Sequence, residues 1–433
     1  MTVDPTLFDT IARVLTGLSE YSITAADETT DGLRVSVIAT RQEAACPGCG
    51  EFSDRVKALR SQAVRDVPHA GRAVSLTVVK RSFRCPVEWC ERRSFTQHTD
   101  ELTARRRTTT RCRELMGRAG KNRSTASVAV EFGVAWSTAW AAILLVAERE
   151  LAAARPVLPT RLGVDETRFW WREPWLTGIV DLDSSDLYEM ICGRSSQSLG
   201  DWIVSLTDAQ RASVSTVVID MHAGYRAALR AALPAAVVIA DRFHVEQLTG
   251  RAVTAVRRRR IWEQAGHRGR KTDKGWRARH DLLRHPDRLT VNGWGRVLAA
   301  MRLDAGNDTL EGDLLWAWGA RGYLAEIYET AVDRAHAHRM LVWWYCFIAA
   351  HPVAELVSLA TSVSAWESEI LNYFDHRLTN GRTEGRNRTI KHVKRVGYGY
   401  RNTTNYTLKC RYNALQVTSW TKPARRPPAA LIA

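Results

Sequence analysis

Four acidic side chains sit where metal-assisted chemistry on phosphate esters would need them. Three close short apolar segments of strand character: Arg161 to Val164 leads into Asp165, Ser215 to Ile219 into Asp220, and Ala235 to Ala240 into Asp241. An apolar strand that stops in acid needs solvent or a cation at its end. Asp is also an ordinary turn residue after a strand, so one such ending says little. Three together predict carboxylates converging at one edge of a sheet. The fourth, Glu384, is the one acid among 13 basic residues in the stretch 376–433. It is either an intrahelical salt-bridge partner or a ligand. In a helix Glu384, Arg388, Lys391 and Arg395 share a face, which would set a metal ligand beside phosphate-binding cations. Such a set suits two Mg2+ (or Mn2+) ions, about 4 Å apart, clamping the attacking and leaving oxygens of an in-line displacement at phosphorus.

A second group of ligands lies near the N-terminus. Of eight cysteines, four form Cys46-Pro-Gly-Cys49 and Cys85-x4-Cys90. A knuckle with Pro-Gly inside turns two thiolates toward one tetrahedral ion, and a second pair closes a structural Zn2+ site. The alternatives are four free buried thiols, or a disulfide pair in a secreted chain. His69 and His98 are candidate substitute ligands, each more simply an ordinary polar residue. Cys112, Cys192, Cys346 and Cys410 have no partner spacing and read as packing cysteines.

Elements must hold these groups in place. Val74 to Phe83 reads as a strand between the knuckles. From Ser124 a short helix runs to Phe132, Gly133 supplies a tight turn, and Ser137 caps a second helix from Thr138. With Ala129 and the apolar residues around it this fits a helix-turn-helix, or an ordinary helical hairpin. Arg105, Arg106 and Arg107 just before it favour DNA contact, with Thr138 on the helix that would enter the groove. After Pro156 to Pro159 come strands at Trp175–Asp181 and Leu187–Cys192 and helices over Ser198–Leu206 and Gly224–Leu233. Residues 248–375 are rich in helix formers and hold eight Trp, most of them expected in a core. The run Arg257, Arg258, Arg259 and Arg260 is either a solvated helix face or a phosphate-binding stripe, and we read it as the latter.

The 433 residues carry a net charge of +16, with 45% hydrophobic and 25% charged residues, which excludes a mostly disordered or collagen-like chain. The excess is not uniform. Residues 248–300 carry 14 basic against 4 acidic side chains, whereas 151–247 carry 9 against 12. A basic surround for an acidic segment points to nucleic-acid chemistry rather than to binding alone. No apolar run approaches the roughly 20 residues of a membrane span, and a secretory signal is not expected.

Together the zinc knuckles, Val164-Asp165-Glu166, Val218-Ile219-Asp220-Met221, Ala240-Asp241-Arg242-Phe243-His244, and the block from Asn380-Gly-Arg-Thr-Glu384-Gly to Gly397-Tyr-Gly-Tyr-Arg resemble transposases of the ISL-three family of bacterial insertion sequences. One departure is Phe95-Thr96-Gln97, where that family often has an acid. The resemblance implies an α/β multi-domain protein with a zinc-binding N-terminal domain (1–100) and a helix-turn-helix region (101–155). A ribonuclease-H-like catalytic core (156–247 and 376–420) would follow, interrupted by an all-helical insertion (248–375), with a flexible tail (421–433). It implies a catalytic triad of Asp165, Asp220 and Glu384 with Asp241 beside it, and double-stranded DNA (transposon ends and target) as partner. It also implies a homo-oligomer and a bacterial cytoplasmic, nucleoid-associated location. A non-catalytic DNA-binding regulator and a structure-specific nuclease are the rival readings.

Overall fold

A computed structural model describes residues 17–30, 32–103, 106–154, 157–169, 175–306 and 310–415. Arg105 and the expected tail 421–433 lie outside the described residues. The chain divides into two compact units, one holding the residues up to 154 together with Lys391–Asn413, the other beginning after it and running to Ile390.

In the first unit, β1 (Tyr21–Thr29), β2 (Gly32–Ala39), β5 (Val56–His69) and β6 (Arg72–Arg84) form a sheet in the order β1-β2-β6-β5, with β7 (Ser94–Thr96) on β6. Alternate residues of β6, Val74, Leu76 and Val78, are buried, the two-residue period of a sheet with one covered face. The short hairpin β3 (Ala44–Ala45) and β4 (Phe52–Ser53) carries the first cysteine knuckle. Three helices follow: α1 (Thr110–Ala119), α2 (Thr125–Phe132) and α3 (Trp136–Ala154). The Ser124 side chain accepts a hydrogen bond from the Ser127 N–H at 3.1 Å and so caps α2. Gly133 ends it with φ of 59°, a left-handed turn at little cost without a Cβ. The axes of α2 and α3 then differ by 112°. The second helix begins at Trp136, two residues before the start expected from Ser137.

The second unit is built on β8 (Arg161–Arg168), β9 (Trp175–Asp181), β10 (Leu187–Cys192), β11 (Thr216–Ile219) and β12 (Val237–Ala240), in the order β10-β9-β8-β11-β12. The first three are antiparallel; β8, β11 and β12 run parallel. All four residues of β11 are buried, as a central parallel strand covered on both faces requires. Connections are α4 (Ser196–Ser205), α5 (Asp208–Ser213) and α6 (Ala223–Ala232). Then α7 (Arg242–Ala265), α8 (Lys274–Arg277), α9 (Val291–Asp304), α10 (Asp313–Thr330), α11 (Arg334–Ala350), α12 (Ala354–Ala365) and α13 (Glu367–His376) form the helical part. One apolar core is continuous from Val164 and Val218 in the sheet to Trp344 and Trp366 in the helices.

Of the eight Trp in this stretch, only Trp344 and Trp366 are fully buried; Trp262, Trp294 and Trp343 are exposed. The expectation that most of them lie in a core is corrected: amphipathic helices bury one stripe and leave an outer face for the rest. Likewise Cys112 and Cys410 are buried, whereas Cys192 and Cys346 are exposed.

Finally α14 (Gly381–Val396) starts in the second unit, and α15 (Thr403–Ala414) lies in the first but for its last residue. There Tyr412 packs with Val146 and Ala147 of α3, and its hydroxyl donates to the Gly117 carbonyl at 3.3 Å.

Candidate active site and metal centre

The four thiols expected to bind zinc converge. Cys46 Sγ lies 3.9 Å from Cys90 Sγ, and Cys49 Sγ 3.6 Å from Cys85 Sγ. These separations far exceed a disulfide bond. They match the edge of a tetrahedron with metal–sulfur bonds of about 2.3 Å, roughly 3.8 Å. The donor set therefore fits Zn2+. The knuckles are held by β3–β4 on one side and the β6–β7 turn on the other, with Phe83 and Phe95 packed beneath. Among the described residues no histidine joins this cluster.

The carboxylates gather on the parallel half of the second sheet. Asp220 directly follows β11, and Asp241 follows β12 as the residue before α7. Asp165 differs from its expected place at a strand tip. It sits inside β8, opposite Gly178 of β9, because antiparallel pairing carries β8 on to Arg168. One Asp165 oxygen accepts the Glu166 N–H and the other the Asn387 side-chain N–H, both at 2.6 Å. Burial, reinforced by the charge of Asp220, raises its pKa to about 6.

His244, on the first turn of α7, stands between the other two acids. Its Nδ1 is 2.8 Å from Asp220 Oδ1 and 3.2 Å from Asp241 Oδ2. Burial alone would lower its pKa, but hydrogen bonding and charge from both acids outweigh that and raise it to about 10. Asp220 Oδ1 is buried against His244. Ligand atoms of Asp220, Asp241 and His244 lie within 4.8 Å of one another. Two carboxylates on one imidazolium leave net negative charge, and their hard oxygen donors fit a divalent cation of the Mg2+ type.

Glu384 is not in that cluster, but its helix is fastened to it. The Asn380 backbone N–H donates to Asp241 Oδ1 at 2.7 Å and its side chain to the Val164 carbonyl at 3.0 Å. Asn380, Thr383 and Asn387 are buried and form the face that meets β8, while Glu384 lies on the exposed flank beside it. Its own carboxylate is half exposed and pairs with Arg388 at 2.9 Å. Gly163 permits this docking: a Cβ there would collide with Thr383 Oγ1 and Asn380 Oδ1.

The expected cationic contacts separate into two groups. Arg388, Lys391 and Arg395 are exposed, as are Arg106 and Arg107, and Thr138 is half-buried. The run in α7 is not a basic stripe. Arg257 is buried. Arg259 is bound by Glu355 and Asp313 at 2.8 Å each, and Arg260 by Asp304 at 2.5 Å. Successive helix residues point about 100° apart, so only Arg258 of the four faces solvent without an ion-pair partner among the described residues.

A family model described as a transposase, of the ISL3 type, matches residues 162–410. The chain belongs to the ISL3 family of transposases. A second model, described as the zinc-finger of transposases IS204/IS1001/IS1096/IS1165, matches residues 42–90, so the N-terminal unit contains a zinc ribbon. The transposase for insertion sequence element IS1001 of Bordetella parapertussis is 26% identical over 84% of this chain and 87% of its own length. The transposase for IS1557 of Mycobacterium tuberculosis (strain CDC 1551 / Oshkosh) is 24% identical over 62% of this chain and 63% of its own length.

Within this family frame, the sequence reading had assigned no role to His244, Asn380 or Asn387. The spacing Asn380, Glu384, Asn387 is the i, i+4, i+7 signature of one helix face and was open to reading. His244 three residues after Asp241, across a helix N-terminus, was a weaker signal. Among the described residues no single helix is long and apolar enough to cross a membrane.

Proposed function

We propose that this chain is a DDE-type DNA transposase that binds the terminal inverted repeats of its element, cuts the ends and joins them to target DNA. Asp165, Asp220 and Glu384 would hold two Mg2+ ions. The observation that carries this is that Asp220 and Asp241 converge with His244, while the helix bearing Glu384 is tied to Asp241 through Asn380 and to Asp165 through Asn387. Three antiparallel strands followed by two parallel ones support a ribonuclease-H-like core over 156–247 and 376–420, with 248–375 inserted between. The α2–α3 pair, bent by 112° at Gly133, supports a helix-turn-helix over 101–155, with Thr138 facing bases and Arg106 and Arg107 meeting phosphates.

The bound ions supply charge for the attacking and leaving oxygens. Asp165 is oriented by two fixed donors, His244 holds Asp220 and Asp241 together by charge, and Arg388 and Lys391 neutralise DNA phosphates beside Glu384. Pairing two ends calls for a homo-oligomer, working on bacterial DNA in the cytoplasm. The test is Asp165→Asn. Cleavage of an end-bearing duplex should be lost while end binding changes less than twofold; undiminished cleavage would sink the assignment.

A further inference from the structure

The exposed side of α7 carries a groove of about 660 Å3 that starts beside the carboxylates. Phe243, Gln247, Gly250, Arg251, Thr254 and Arg258 line it, at the i, i+4, i+7, i+8, i+11 and i+15 positions of one helix face. That face extends about 22 Å at 1.5 Å per residue. Its first member, Phe243, precedes His244 in the chain. Phe243 meets His244 edge-on with ring centroids 5.4 Å apart, and His244 touches both Asp220 and Asp241.

Three features specify what would lie there. Phe243 is 55% exposed, a bare aromatic face at the mouth of a polar site. A base inside a duplex has both faces covered by its neighbours, so only an unpaired base can stack on such a ring. Two exposed cations lie along the groove without a neutralising acid among the described residues. Arg251 is hydrogen-bonded by the neutral Gln247, and Arg258 has no ion-pair partner among the described residues. The one carboxylate in the wall, Glu246, is bound by Arg242 at 2.5 Å. The floor is preformed: Arg321 donates to the backbone carbonyls of Leu283 and Arg284, at 2.6 and 3.2 Å. At Gly250 a Cβ would reach 3.4 Å from Leu283.

We infer that this groove holds a short unpaired DNA strand leaving the active site, its first base stacked on Phe243 and its phosphates on Arg251 and Arg258. The inference rests on the transposase reading for its substrate, but its test does not depend on cleavage. The zinc-loaded full chain would be titrated, without Mg2+, against a fluorescent dT12 strand and a 20-bp duplex of arbitrary sequence, read by anisotropy. Phe243→Ala should weaken dT12 binding about tenfold and duplex binding less than twofold, while Phe243→Trp keeps dT12 binding. Replacing Arg251 and Arg258 by Ala should weaken dT12 binding and flatten its salt dependence by about 0.7 in slope per Arg. The groove assignment is overturned if dT12 is not bound, or if Phe243→Ala leaves it unchanged or weakens both probes equally. It is equally overturned if Phe243→Trp behaves like the alanine variant. A wild-type chain that discriminates the probes in this way yet cuts no DNA end would overturn the transposase reading alone.

Discussion

Asp165 has both oxygens hydrogen-bonded, by a backbone N–H on its own strand and by Asn387. The second donor comes from the helix that bears Glu384, so one contact orients a carboxylate and sets the distance between two elements. Asn387→Ala should therefore lower cleavage roughly 10- to 100-fold, the usual scale for losing a residue that orients a ligand, with end binding intact. Raising Mg2+ should recover part of the loss, and a cleavage titration against Mg2+ checks both points. The acids themselves were legible in the sequence because each aspartate terminates or interrupts an apolar run. Asn387 and His244 were not, since an amide or imidazole acquires such a role only when distant strands are brought together.

Elements here meet more closely than their sequences advertise. Helix α14 approaches β8 over Gly163, where a methyl group would strike Thr383 and Asn380. Gly163→Ala should cost about 1–3 kcal/mol, seen as a lower urea midpoint, and should impair cleavage more than DNA binding. The strand pattern of the second sheet was readable from apolar runs and turn residues, although β8 runs past Asp165. The basic run in α7 was misread as a stripe because charge counting ignores helical rotation. Its parts should separate by measurement. Arg260→Ala, which strands the buried Asp304, should lower stability by about 3 kcal/mol in denaturant titrations without altering affinity for duplex DNA. In the zinc ribbon the cysteine spacing was sufficient by itself. Cys85→Ser should reduce bound zinc from about one per chain to near none, as measured by a chromogenic chelator after thiol modification.

At the scale of the molecule, the first unit is assembled from two separated stretches of chain. Lys391–Asn413 belongs to the unit made by the first 155 residues. There Tyr412 completes a core with Val146 and Ala147, and Asn413 donates to the Lys121 carbonyl at 3.2 Å. Nothing in the sequence could announce this. Leu408 and Tyr412, four residues apart, have the spacing of one helix face whatever surface they cover. A chain ending at Ile390 should leave α3 with an uncovered apolar face, and limited proteolysis should cut its α1–α3 region faster than in the full chain. Synthesis adds a temporal consequence. At about 5–20 residues per second, the ribosome needs on the order of 10–50 s to travel from residue 155 to residue 413. The N-terminal unit therefore waits, unfinished, until Lys391–Asn413 has been made. Prematurely ended chains would carry this unit without Tyr412 against Val146 and Ala147.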